Sequence, residues 1–192
     1  HRAPAMEETI AGLQPGLRRI FRTERPVYIA ASSATGLMEA AIRNGARRRV
    51  LALVNGAFSE RFRTIATAND IEADTLDVGW GGVHTADMVA DKLASGQYDA
   101  VTVVHCETST GVLNPIGELA EAARAAGDVV ILVDAVSSMA GARVETDEWG
   151  LDFVLTGSQK CFALPPGMAF GVANERILGR AAEKPDRGLY FD

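Results

Sequence analysis

Apolar residues along this chain fall in short unbroken runs rather than in strict alternation with polar ones. Seven runs, at 27–31, 50–54, 75–80, 100–105, 129–133, 152–156 and 169–173, read as β-strands. Continuous apolarity over five or six residues is what a strand needs when helices cover both of its faces. Helical stretches lie between several of them: Thr35–Asn44, Glu60–Ala68, Thr85–Ala94 and Ile116–Ala126, with Asn44-Gly45 and Ala126-Gly127 as stop signals. This alternation predicts an α/β fold, a three-layer sandwich around a doubly wound, mostly parallel sheet of seven strands. The run at 169–173 follows its predecessor through a polar turn and Pro165-Pro166-Gly167. No crossover helix fits there, so one antiparallel strand is expected.

Composition narrows the picture further. With 192 residues, 47% hydrophobic and 23% charged, the chain can bury a sizeable core as one domain. A net charge of -6 gives no reason to expect nucleic acid or a membrane surface as a partner. The basic cluster Arg47-Arg48-Arg49 reads as a solvated helix end. The two cysteines, Cys106 and Cys161, lack zinc-type spacing, so neither a metal site nor a disulfide framework is expected, and a reducing cytoplasm fits. No apolar stretch approaches the ~18 residues needed to span a bilayer. The chain opens at His1 rather than Met, so the lack of a visible signal peptide carries little weight.

A sheet of this kind binds ligands outside the carboxyl ends of its strands, which directs attention to the residues just after each run. Ser32-Ser33-Ala34-Thr35-Gly36 joins a strand to a helix and could seat a phosphate on free backbone N–H groups; it reads equally as a plain N-cap. Phe58 could stack on a flat heteroaromatic ring or simply fill the core. His105 reads as a satisfied buried histidine and Cys106 as a small hydrophobe. Thr108 sits in a Gly-terminated polar loop, within reach of a ring substituent. Asp134 closes the most hydrophobic run, where an unpaired carboxylate is costly, and Lys160 lies in the polar turn after the next run. An acid and a lysine placed this way suggest pyridoxal phosphate (PLP). That cofactor needs an amine to bind its aldehyde and a carboxylate to keep its ring nitrogen protonated. Neither GxGxxG nor GxxxxGK[ST] occurs, which removes the usual nucleotide-binding rivals.

Read together, the segments HR, SSATGLMEAA, NGAF, HCETSTGVLNP, VDAVSS, GSQKCFALPPGMAF and GLYFD resemble the class V PLP-dependent aminotransferases of fold type I. Their kind is the alanine/serine–glyoxylate (serine–pyruvate) enzymes. The resemblance implies that residues 1–192 form the large PLP-binding domain, with Lys160 as the Schiff-base lysine and Asp134 as partner of the pyridine nitrogen. It further implies phosphate contacts from Ser33, Ala34, Thr35 and Gln159. Phe58 would stack on the ring, Thr108 would contact its edge, and Val136 would pack on the face opposite Phe58. The expected substrates are a small amino acid and a 2-oxo acid, and a homodimer with its active site at the subunit interface is implied. Two departures stand out: Ala34 replaces a usual glycine, and the small C-terminal domain that carries the substrate-carboxylate arginine would lie beyond Asp192. HCETSTGVLNP is also similar to the 2-aminoethylphosphonate–pyruvate transaminases, while GSQK with LPPG favours the glyoxylate group. A PLP lyase or desulfurase would more often carry His in place of Phe58. A PLP-binding regulatory or inactive domain is the non-enzyme alternative, but no helix-turn-helix appendage is visible.

Overall fold

The structure, a computed structural model, describes residues 3–185 and 188–190. The HR opening and the final two residues of GLYFD lie outside them. Helix α1 (Pro4–Phe21) leads into β1 (Tyr28–Ala30), α2 (Ala34–Gly45), β2 (Arg49–Val54), α3 (Ala57–Ala68), β3 (Glu72–Asp77) and α4 (Ala86–Leu93). Then follow β4 (Ala100–Val104), a small hairpin of β5 (Cys106–Glu107) and β6 (Val112–Leu113), α5 (Ile116–Ala125), β7 (Val130–Asp134), β8 (Phe153–Gly157), β9 (Ala169–Ala173) and α6 (Glu175–Glu183).

Seven strands form one sheet in the order β1-β9-β8-β7-β4-β2-β3. Only β9 runs against the rest, pairing antiparallel with both β1 and β8. Strands β4, β7, β8 and β9 are buried along their whole length, as their unbroken apolar runs require. Successive residues nonetheless face opposite layers. Leu51, Leu53, Val101, Val103, Ile131 and Val133 pack with Leu17 and Phe21 of α1, Val89 and Leu93 of α4, and Ile116 and Leu119 of α5. Val50, Ala100, Val130, Leu132 and Leu155 pack with Leu37 and Met38 of α2, Phe62 of α3 and Ile177 of α6. The three layers follow from this two-sided burial. No helix among the described residues is long and apolar enough to cross a membrane.

Three features depart from the sequence-based expectation. Strand β3 begins at Glu72 and ends at Asp77, about one turn's length earlier than the run at 75–80. It is an edge strand, and its pairing with β2 is assisted by Arg49, whose guanidinium lies 3.1 Å from Glu72 and 3.4 Å from Asp74. Beyond it, Gly79 adopts φ +75° and donates its N–H to the Asp77 carboxylate at 2.7 Å, which turns the chain out of the sheet. Helices α1 and α6 add two elements with no counterpart among the predicted stretches. The basic cluster is not a solvated helix end: α2 ends at Gly45, and the three arginines lead into β2. The Asp99 carboxylate accepts the N–H groups of Arg47 (2.9 Å), Arg48 (2.8 Å) and Arg49 (3.3 Å).

The amino ends of the strands are closed by buried charges. Arg180 of α6, 3% exposed, donates to the carbonyls of Gly45 (2.9 Å), Asp99 (2.8 Å) and Asp128 (2.6 Å). Asp152, 1% exposed, accepts the Ile131 N–H (2.8 Å), the Asn174 side-chain amide (2.7 Å) and the Arg176 guanidinium (3.1 Å). Breaking one partner of such a buried cluster strands the others, at a cost of about 3 kcal/mol. Asp152→Ala should therefore lower the melting temperature by roughly 6–12 °C in a chain of this size, measured by calorimetry. A shift under about 2 °C would show that Asp152 does not anchor β7 and α6.

Candidate active site

At the opposite, carboxyl ends of the strands, chain order reverses direction across the sheet between β2 and β4, the place where open α/β sheets form a crevice. One cleft there is lined by Ser33, Ala34, Thr35, Phe58, Thr108, Asp134, Val136, Gln159 and Lys160, together with Met38, Arg61, Val104, Cys106 and Ser137. Every residue singled out as a cofactor contact thus faces the same space. Larger concavities exist, an apolar one of about 580 Å³ between β1, α2 and α6 and a charged one of about 630 Å³ beside α5. Neither brings a lysine amine and a buried carboxylate together.

Each wall of the cleft has a local cause. Ser33 precedes α2 in an extended conformation (φ -89°, ψ 161°), and its side chain makes no capping bond. The first N–H groups of α2 therefore remain available, at the positive end of the helix dipole. Ala34 is not among the positive-φ residues, so the alanine at this position costs no backbone strain. Phe58 is the second residue of α3, and the Arg61 guanidinium lies 4.9 Å from its ring centroid. Thr108 sits at the tip of the β5–β6 hairpin with its hydroxyl bonded to that of Ser137.

Lys160 lies in the connection from β8 to β9, which is folded around Ser158. The Ser158 hydroxyl donates to the Pro165 carbonyl at 2.7 Å, and its backbone exchanges bonds with Leu164 and Met168, each at 3.0 Å. Gln159 packs closely over Gly157: a Cβ there would come within 2.6 Å of the Gln159 Oε1. Both Gln159 and Lys160 are exposed at the rim.

Asp134 ends β7 at 3% exposure. Among the described residues its carboxylate accepts one hydrogen bond, from the Val136 N–H at 2.7 Å, and forms no ion pair. Burial pushes its carboxyl up to about 6, and the nearby negative charge of Glu107 adds to the shift, while the Val136 N–H and Arg61 oppose it. His105, next to it in the sheet, is neutral: burial lowers it to about 4, and its Nδ1 lies 2.9 Å from the Ser138 hydroxyl.

The fit to PLP can be judged on this carboxylate. A buried acid with a single hydrogen bond is a standing cost, and a cation delivered into the cleft would relieve it. A protonated pyridine nitrogen is such a cation. The open N-terminus of α2 is a seat for the phosphate, and the amine of Lys160 is at hand for the aldehyde. The residues present fit the cofactor.

Three lining or supporting residues escaped the sequence reading. Glu107 is fully buried beneath Phe58, Arg61 covers the Phe58 ring, and Ser137 holds Thr108. Glu107 alone had a visible signal, as an acid enclosed in HCETST between two strand-forming segments. Arg61 is three residues beyond Phe58 on the same helix, a spacing that carries no chemistry until the ring is known to face a site.

The sequence pattern of class-V aminotransferases matches residues 33–185. The chain is 40% identical to an uncharacterized aminotransferase of Methanocaldococcus jannaschii over 97% of its length and 48% of the relative's. It superposes on an aspartate aminotransferase of subgroup IV from Thermus thermophilus with a TM-score of 0.90 and 35% identity, covering 100% of this chain and 54% of that one. An alanine–glyoxylate aminotransferase from Nostoc gives a TM-score of 0.91 at 28% identity, covering 96% of this chain and 49% of that one. The chain spans about half the length of the curated relatives it matches. On the match of sequence, fold and cleft, the chain belongs to the class-V aminotransferase family.

Proposed function

We propose that these residues form the cofactor-binding half of a transaminase that moves an amino group from a small amino acid, alanine or serine in kind, to glyoxylate or pyruvate. The family implies PLP as cofactor. The observation that carries the reading is the nearly unpartnered, buried Asp134 carboxylate sharing a cleft with the Lys160 amine and the open start of α2. The likeness to an alanine–glyoxylate enzyme supports the choice of donor and acceptor. The substrate-carboxylate arginine, the small domain and contacts from a second subunit would lie outside this chain, in a cytoplasmic homodimer.

When bound, the cofactor supplies an electron sink for the pair left at the substrate Cα. The chain's own residues do the rest. Lys160 Nζ would be the amine that holds the cofactor through its aldehyde and, as a free amine, would serve as the general base at the substrate Cα. Asp134 would face the ring nitrogen and hold a proton there, which would stabilise negative charge developing on the ring. Ser33, Ala34, Thr35 and Gln159 hold the phosphate. Phe58 and Val136 would close on the two ring faces, and Thr108 would meet the ring edge.

In the full-length enzyme, Lys160→Ala should lower turnover by roughly 10³-fold or more and abolish the visible absorbance of lysine-linked cofactor. Persistence of that band would remove Lys160 from its role. The donor is identified by mixing the holoenzyme with alanine, serine, glycine or 2-aminoethylphosphonate and following conversion to pyridoxamine phosphate. Conversion with 2-aminoethylphosphonate alone would replace the glyoxylate reading, and release of ammonia or sulfide would indicate a lyase.

Asp134 offers a second test, on protein free of cofactor. Its folded-state carboxyl titrates near 6, against a usual 3.8, so it binds its proton more tightly folded than unfolded. The stability it contributes is present below the unfolded value and lost as pH rises through about 6. Asp134→Asn keeps the acceptor for Val136 without the charge. Relative to wild type it should gain about 3 kcal/mol of apo-protein stability between pH 4 and pH 7, by denaturant titration. With cofactor added it should be the weaker binder and turn over at least about 10²-fold more slowly. A variant stabilised equally at both pH values would disprove the buried-charge account.

A further inference from the structure

The roles above leave unused one carboxylate that ties two walls of the cleft together. Glu107 ends β5 and is fully buried. Its oxygens accept the backbone N–H groups of Phe58 (3.1 Å), Ser59 (2.9 Å) and Ser109 (3.2 Å) and the Ser109 hydroxyl (2.7 Å), with the Ser59 hydroxyl 3.0 Å away. The Ser109 Oγ in turn accepts the Ala57 N–H at 2.9 Å. The first three N–H groups of α3 are thus satisfied from another strand's loop. The helix cannot do this itself, because its N-cap is Gly56. A side chain at that position has no room: a Cβ on Gly56 would meet Glu107 Cγ and Ser109 Oγ, each at 2.5 Å.

Burial raises the Glu107 carboxyl, but the bonds from Ser109 and Ser59 outweigh it and leave the group below its usual range. Glu107 is therefore an anion whose lone pairs are all engaged by α3 and the hairpin. Phe58 gives its N–H to this anion, and Thr108 is the next residue in the chain. One side chain consequently sets the spacing between the residue read as stacking on the ring and the residue read as meeting its edge.

We infer that Glu107 is a positioning residue for the cofactor ring, locking Phe58 and Thr108 into one rigid unit through the start of α3. This rests on the cofactor reading given above. It adds that the orientation of the ring is decided by a residue that does not touch it.

The test compares full-length holoenzyme of wild type, Glu107→Gln and Ser109→Ala. Three quantities are measured: cofactor affinity, visible circular dichroism per mole of bound cofactor, and the melting temperature of the apo form. Gln keeps the size of the side chain but turns a donor group toward backbone donors. Ser109→Ala removes only the acceptor for Ala57 and one bond to Glu107. Both variants should bind cofactor more weakly, Glu107→Gln by about tenfold or more, since hydrogen bonds to a charged acceptor are the strong ones. Both should change the dichroism of each cofactor molecule that remains bound, because the ring then sits differently between its neighbours. If both variants melt lower but keep wild-type affinity and dichroism, Glu107 is a helix cap and nothing more, and the inference fails. Should Glu107→Gln not fold, Ser109→Ala decides by the same two readouts. A wild-type enzyme with no lysine-linked cofactor band overturns the cofactor reading itself, which separates that failure from this one.

Discussion

A parallel sheet buried on both faces leaves few places for a charge, and this one places a carboxylate at the end of its central strand. Strand β7 is apolar from Val130 to Val133, and the next residue is Asp134. The flanking strands β4 and β8 pair with it at Val104 and Leu155, so the acid cannot swing out to water without breaking the sheet. What surrounds it is arranged around that constraint. His105 beside it stays neutral, Val136 lends its N–H, and Glu107 has its own charge fully satisfied by α3 and the hairpin. An isolated fold would gain by replacing Asp134 with something apolar. A cationic ligand would offset that cost, which links the stability of the sheet to the chemistry proposed at its mouth.

The central strands were legible in the sequence because two-sided burial writes itself as an unbroken apolar run. Strands β2, β4, β7, β8 and β9 fall within a residue or so of where the runs put them, and β9 runs antiparallel for the reason its short polar connection gives. The edge strand β1 also lies within the run at 27–31, but the edge at β3 was harder to read. Strand β3 has only Ala73 and Leu76 to pack on the cores and is held to β2 by its backbone and by Arg49, so hydrophobicity misplaced it by about three residues. Helix α1 buries Leu17 and Phe21 but exposes Met6, Ile10 and Leu13, so its apolar positions do not all mark the core. Helix α6 did carry a local signal, the Asn174 N-cap whose side chain accepts the Ile177 N–H. Arg180, reaching three carbonyls in other elements, leaves no such local trace.

The cleft shows the same division. Residues carrying chemistry of their own, an amine at Lys160, a buried acid at Asp134, hydroxyls at Ser33 and Thr108, could be picked out because each follows a strand. Their assembly depends on topology, since the segments are brought together only where β2 and β4 become neighbours. Residues that work through others stayed hidden. Glu107 bonds Phe58 from the end of β5, about fifty positions away, and Ser137 bonds Thr108 from the turn after β7. No spacing rule relates such positions.

The antiparallel course of β9 has a consequence for the lysine. The loops after β1 and β2 at this rim lead from a strand into a helix. The loop bearing Lys160 instead returns at once to the sheet it left, with Gly157 paired to Ala169 at its base. Both of its feet stand on neighbouring strands of the most buried part of the molecule. Lys160 stands three residues beyond the last residue of β8, and from there the reach of its nitrogen is the length of its own side chain. On the role proposed for Lys160, covalent attachment and proton transfer would share the arc of that one short arm, swung by rotamer changes.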